Sequence, residues 1–234
     1  MRGMILAAGR GRRMGGLTDD IPKPLLRVGG RYLIEYSLQA LVNSGIKEIV
    51  INISYHRDQI KAALGNGQRF GANIHYSEEV TALETGGGVL QALPLLGDEP
   101  FIVLSSDIVC DYPLKNLPRE PAGLAHLVVV ENPDYHPVGD FCLQGDRLYL
   151  GDERRYTFGN IGVYRPELFA NSTAGWFRLG DLIISQIRNQ TITGELYQGF
   201  WQNIGNPQQL AELENNLTLF TSPLVGEVGA AGDG

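Results

Sequence analysis

The chain has 234 residues, with 19 Lys or Arg against 26 Asp or Glu and a net charge of -7. That length suits one large α/β domain with a substantial core, and the acidic balance without a long basic stretch excludes nucleic acid as the main partner. No apolar run approaches membrane-spanning length and no charged leader precedes an apolar segment, so the chain reads as a soluble, cytoplasmic protein without a membrane partner.

In chain order, residues 4–8 (Met-Ile-Leu-Ala-Ala) form a short apolar run that predicts a buried strand. It empties into a loop holding Gly9, Gly11, Gly15 and Gly16 together with Arg10, Arg12 and Arg13, followed by a stiff Pro22-Lys23-Pro24. Leu33–Asn43 has apolar residues at helical spacing, Glu48–Ile53 reads as a strand, and residues 56–64 as a helix. A strand at 72–76, a helix at 88–93 and a strand at 100–104 come next. This alternation predicts a doubly wound, mostly parallel sheet with helices on both faces, whose ligands sit at the carboxyl ends of the strands.

The second half is richer in strands, at 124–130, 140–143, 147–150 and 156–164, with Gln144-Gly-Asp146 as a hairpin turn. Leu179–Arg188 and residues 207–219 read as helices, and Pro207 suits the first turn of the latter. From Thr221 onward the chain is Ser, Pro, Gly and Ala without periodicity, which predicts a disordered tail over 221–234. Cys110 and Cys142 lack metal-ligand spacing and read as reduced thiols. His56, His75, His126 and His136 show no ligand spacing either and read as structural or surface residues.

Glycines let backbone N–H groups approach an anion closely and arginines add charge, so the loop at 9–16 suits a polyphosphate. Two common phosphate loops are excluded. Gly9 to Met14 begins like a dinucleotide fingerprint, but Met14 replaces the third glycine, and Val28, Gly29 and Gly30 stand where a ribose-binding acid belongs. Gly11 to Gly16 has P-loop glycine spacing, yet Leu17 stands where the lysine belongs. No Ser-His-Asp or Cys-His set is apparent.

These residues resemble the sugar-1-phosphate nucleotidyltransferases. The resemblance rests on Leu6-Ala-Ala-Gly-Arg-Gly-Arg-Arg13-Met14 and Pro22-Lys23-Pro24-Leu25. It continues through Glu84-Thr-Gly-Gly-Gly88, Ser105-Ser-Asp107, Gly139-Asp-Phe141, Asn160-Ile-Gly-Val-Tyr164 and Trp201-Gln-Asn-Ile-Gly205, covering about residues 1–220. It implies a Rossmann-like nucleotidyltransferase domain over 1–220. A nucleotide-binding half occupies about 1–120 and a sugar-phosphate-binding half about 121–220. Short length and the Glu-Thr-Gly-Gly-Gly motif are most similar to members that pass uridylyl to N-acetylmuramate 1-phosphate in cell-wall sugar recycling. Guanylyltransferases for mannose or heptose 1-phosphate come next. The implied partners are a nucleoside triphosphate, UTP favoured, and a sugar 1-phosphate, with Mg2+ as cofactor; oligomeric state carries no signal.

By the same resemblance, Arg13, Lys23 and Asp107 are the catalytic set. Ala7, Ala8, Gly9, Gly11, Arg13, Lys23, Glu84, Gly86, Gly87 and Ser105 bind the nucleotide, with Glu84 to Gly88 along the base, although three glycines also suit an ordinary loop before a helix. Asp140 and Asn160 bind the sugar phosphate, or Asp140 merely begins a strand. Asp107 is the metal ligand, where an Asp at a strand end is otherwise a cap or turn residue. The family's second metal ligand is an Asp, and this chain has Asn203 there, which offers a carbonyl oxygen but no charge. Ser105-Ser106 likewise replaces an Asn-Gly. Either one carboxylate suffices, the triphosphate supplying the missing charge, or the chain only binds nucleotide or sugar phosphate.

Overall fold

The computed structural model describes residues 1–221, with side chains through 216. The first half runs β1 (Gly3–Leu6), β2 (Arg27–Val28), β3 (Arg31–Tyr32), α1 (Leu33–Asn43), β4 (Glu48–Ile53), α2 (Arg57–Leu64), β5 (Asn73–Glu78), α3 (Glu84–Leu96), β6 (Phe101–Ser105) and β7 (Ile108–Cys110). The second runs β8 (Ala125–Val130), β9 (Phe141–Gln144), β10 (Arg147–Tyr149), β11 (Arg155–Tyr164), α4 (Leu179–Arg188), β12 (Ile192–Tyr197), β13 (Trp201–Asn203) and α5 (Pro207–Thr221). Thr221 therefore closes a helix, and the rest of the expected tail lies outside the described residues.

Nine strands form one sheet in the order β5-β4-β1-β6-β11-β8-β12-β10-β9. The expected mostly parallel sheet is corrected here: it is mixed, and antiparallel pairings outnumber parallel ones. β5, β4, β1 and β6 are parallel, as the strand–helix alternation predicts. From β6 onward β11 pairs antiparallel with β6, β8 and β9, and only β8 with β12 is parallel. β9 and β10 are joined by a hairpin and must run antiparallel, whereas the antiparallel pairings of β11 with β6 and β8 join strands distant in the chain. The turn predicted at 144–146 joins β9 to β10, with Gly145 at φ 63°.

α1 and α2 cover one face through Ile34, Leu38, Leu41, Ile60 and Leu64. α3 and α4 cover the other through Val89, Ala92, Leu96, Ile183 and Ile187. Both faces of the parallel strands are thereby buried, which is why β4 carries apolar residues on successive positions, Ile49 to Ile51. A third cluster gathers Met14, Leu26, Val28, Leu33, Val109, Ile204 and Leu213, under α5. None of the helices described is long and apolar enough to cross a membrane.

Candidate active site

The loop after β1 leaves the sheet tied down at its first residue: the Ala7 N–H donates to Asn52 Oδ1 on β4 at 2.9 Å. Further along the loop, Met14 is 1% exposed inside the third apolar cluster. The residue that broke the dinucleotide pattern is thus an anchor. With Met14 sunk, Arg13 projects outward, its Nη1 3.4 Å from where a side chain on Gly205 would begin. Gly11 has φ +65°, and a Cβ there would stand 2.9 Å from Cβ of Lys23, so the glycine admits the lysine stem beneath the loop. The Pro22-Lys23-Pro24 turn is buried, and the Lys23 ammonium forms an ion pair with the Asp107 carboxylate, the two side chains 11% and 23% exposed.

These groups line one cleft of ≈ 950 Å³. Of the expected nucleotide and catalytic residues, Ala7, Ala8, Gly9, Gly11, Arg13, Lys23, Glu84, Ser105 and Asp107 all border it. They meet because the Ser106 N–H donates to the Leu6 carbonyl at 3.0 Å, setting the ends of neighbouring parallel strands side by side. Arg10 and Arg12 border the same cleft, Arg10 over the Tyr55 ring at 5.5 Å.

Gly86 and Gly87 are placed otherwise. They lie inside α3, not in an ordinary loop before a helix, and neither borders the cleft. Their N–H groups both donate to the Phe177 carbonyl, at 3.0 and 3.2 Å. A Cβ on Gly86 would strike the Phe177 ring at 2.3 Å, and one on Gly87 the Gly175 oxygen at 2.1 Å. The glycines admit another stretch of chain, and their donors are already used.

Two residues of this cleft carried no signal in the sequence. Asn52 and Glu79, each 2% exposed, are joined by a 2.7 Å bond from Asn52 Nδ2 to Glu79 Oε1. The other Glu79 oxygen accepts the Leu83 N–H at 2.9 Å. A chain of bonds thus runs from Ala7 to the segment before α3, and a Cβ on Gly88 would press 2.6 Å from both polar groups. Burial raises the Glu79 carboxyl above its usual range, with Leu83 and Asn52 opposing.

A second cavity of ≈ 600 Å³ adjoins the first and shares Arg13 with it. Asp140, Asn160 and Asn203 line it, with Tyr135, His136 and Trp201. Asn160 stands at φ +56° beside a register shift in β11 between Phe158 and Ile161, and this bulge re-aims the side chain toward the cavity. Asp140 spends one oxygen on the Phe158 N–H at 2.8 Å and the other on His136 Nε2 at 3.1 Å. His136, read from the sequence as structural or surface, is therefore a cavity residue. Tyr135 joins the two regions electrically: burial first, then the Asp107 charge, raise its hydroxyl, while Arg13 opposes.

The donors near Asp107 fit a metal ion. β13 pairs with β7, and the Ile204 N–H donates to the Asp107 carbonyl at 2.8 Å, which brings Asn203 beside Asp107. The buried Asn203 Oδ1 has no hydrogen-bond partner among the described residues. A buried orphan oxygen beside a carboxylate suits a hard cation. No cluster of three or more His, Cys, Asp or Glu fit for a metal occurs among the described residues. Mg2+ needs none, since one or two protein oxygens with phosphates and water suffice.

A model of the nucleotidyl transferase family matches residues 2–137. The chain belongs to that family and is a sugar-1-phosphate nucleotidyltransferase. It is 42% identical to N-acetylmuramate alpha-1-phosphate uridylyltransferase of Neisseria meningitidis serogroup B, over 92% of this chain and 97% of that one. It is 30% identical to the protein of the same description from Caulobacter vibrioides, over 92% and 96%. Among solved structures it is similar to a putative glucose-1-phosphate thymidylyltransferase from Bacillus anthracis, with a TM-score of 0.83 at 20% identity, covering 92% of this chain and 94% of that one. The last likeness shows the fold alone.

Proposed function

We propose that this chain transfers uridylyl from UTP to N-acetylmuramate 1-phosphate, giving the UDP-sugar and pyrophosphate. One observation carries the reading: a cleft lined by Arg10, Arg12, Arg13 and the Lys23–Asp107 ion pair adjoins a polar cavity, with Arg13 lining both. The choice of base and sugar draws on the two near-full-length uridylyltransferase relatives. Residues of about 1–120 supply most of the donor cleft, and those of about 121–220 most of the acceptor cavity.

A phosphate oxygen of the acceptor attacks the α-phosphorus in line, and the bond to the bridging oxygen breaks as pyrophosphate leaves with the electron pair. No protein nucleophile is required, only alignment and charge neutralisation. Arg13 offers a guanidinium fork to the departing phosphates. Lys23, paired with Asp107 in the free protein, is a compact cation close enough to serve phosphate oxygens instead. Backbone at Ala8, Gly9 and Gly11 approaches the nucleotide without side-chain bulk. Asp107 and the carbonyl oxygen of Asn203 would hold Mg2+, which when bound supplies positive charge against the phosphates.

The test is a matrix of nucleoside triphosphates against sugar 1-phosphates, read by pyrophosphate release with Mg2+ present. UTP with N-acetylmuramate 1-phosphate is expected to give the highest kcat/KM. A faster reaction of GTP with mannose 1-phosphate overturns the substrate assignment. Silence across the whole matrix, with nucleotide still bound in calorimetry, overturns turnover altogether.

A further inference from the structure

Between β11 and α4 the chain passes over the amino-terminal end of α3. That helix has no side-chain cap at Leu83, so its first N–H groups need partners from elsewhere. Phe177 meets the need through its carbonyl, which takes the Gly86 and Gly87 N–H groups. The Phe177 N–H donates to the Leu83 carbonyl at 3.2 Å, and the Leu179 N–H to Thr85 Oγ1 at 2.9 Å. Two glycines admit this strap at close contact, since a Cβ would stand 2.3 Å from the Phe177 ring or 2.1 Å from the Gly175 oxygen. Residues 175–179 are accordingly pinned.

Trp176 rides on the strap and is 60% exposed. It borders the large cleft alongside Val80, which is 92% exposed, Thr81 and Ala82. Arg178 lies over its ring at 5.8 Å from the centroid, which steadies the indole. A large aromatic side chain held in water on a rigid mount is the informative exception to apolar burial. The cleft lining carries two kinds of group: Arg10, Arg12, Arg13 and the Lys23–Asp107 ion pair on the one hand, and Val80, Thr81, Ala82 and the Trp176 indole on the other. A ligand that joins phosphates to a flat ring fits such a lining.

We propose that Trp176 supplies an aromatic face on which the base of the bound nucleoside triphosphate packs. The proposal rests on the nucleotidyltransferase reading of the site and adds a donor-binding residue to it. Because the strap is fixed before the nucleotide arrives, little ordering cost is left at the contact. Stacking tolerates any base, so Trp176 contributes donor affinity and leaves the choice among bases to other groups.

The chain has two tryptophans, Trp176 and Trp201, the second lining the smaller cavity. Trp201→Phe leaves Trp176 as the sole indole, and its emission should fall as UTP is titrated and saturate with calorimetric binding. Trp176→Phe, which keeps only Trp201, should not respond to UTP. In turnover, Trp176→Ala should raise the UTP KM about tenfold, as loss of one stacking contact does, with kcat and the acceptor KM unchanged. Trp176→Phe should recover most of that loss. An unchanged UTP KM in Trp176→Ala, or quenching of Trp176 by the sugar phosphate and not by nucleotide, overturns the proposal while wild-type turnover leaves the enzyme reading intact. A wild-type chain that releases no pyrophosphate from any triphosphate overturns both.

Discussion

The two halves of the sheet build binding sites by different means. In the parallel half, β1, β4 and β6 end side by side, and the donor cleft is built at those ends from the glycine-arginine loop, Asn52 and Ser105 to Asp107. In the antiparallel half no such row of strand ends exists, and the smaller cavity is cut into the sheet by a bulge in β11 that turns Asn160 outward. Parallel strands supply a place, whereas antiparallel strands need a local irregularity to make one.

Arg13 is the residue on which this division is most exposed, because it lines both cavities. Arg13→Ala should lower kcat/KM by about 100-fold or more, the usual scale for losing a positioned charge at a developing anion. Both substrates should register the loss. Steady-state kinetics varying each substrate in turn will check this. An effect confined to UTP would mean that the cavities do not share the guanidinium in use.

Gly87→Ala tests the joint between the halves, since the strap from the second half lies on the helix of the first. The added Cβ would stand 2.1 Å from the Gly175 oxygen, and backbone cannot move aside as a side-chain tip can. Overpacking of this kind costs about 1–3 kcal/mol, measurable as a shift of the urea midpoint at unchanged slope. The variant should also lose UTP affinity, because the strap carries Trp176. Unaltered stability would show that the strap yields freely.

Much of the first half was legible because its signals are local. Apolar runs alternating with helical spacing gave β1, α1, β4 and β6, and glycine with arginine after a strand marked the cleft. The antiparallel half was less legible, since which strands pair is decided by contacts distant in the chain. Ile192–Tyr197 escaped notice for that reason: a glycine and a glutamate interrupt its alternation, and only pairing along β8 makes it a strand. Gly86 and Gly87 turned out to face the strap inside α3, because glycine signals a close approach without saying of what. Trp176 did leave a trace, as the first of two aromatics after a stretch of Asn, Ser, Thr, Ala and Gly. Asn52 and Glu79 left none, since their partners are each other.

Glu79 gives the smallest expected effect and confines it to the donor half. Burial raises its carboxyl in the folded chain above the usual 4.5. A raised carboxyl gives stability that is fully present below that usual value and is lost as pH climbs through the folded value. Glu79→Gln removes the ionisation and keeps one acceptor, so the variant escapes that loss. Its stability relative to wild type should therefore improve as pH rises from about 4 to 8, whatever its offset at low pH. Paired urea titrations at several pH values would read this directly, and a difference that stays flat would mean that Glu79 does not ionise against burial. The acceptor KM should not change, because the bonds of Glu79 run to Asn52 and Leu83 and on to Ala7, none of which borders the smaller cavity.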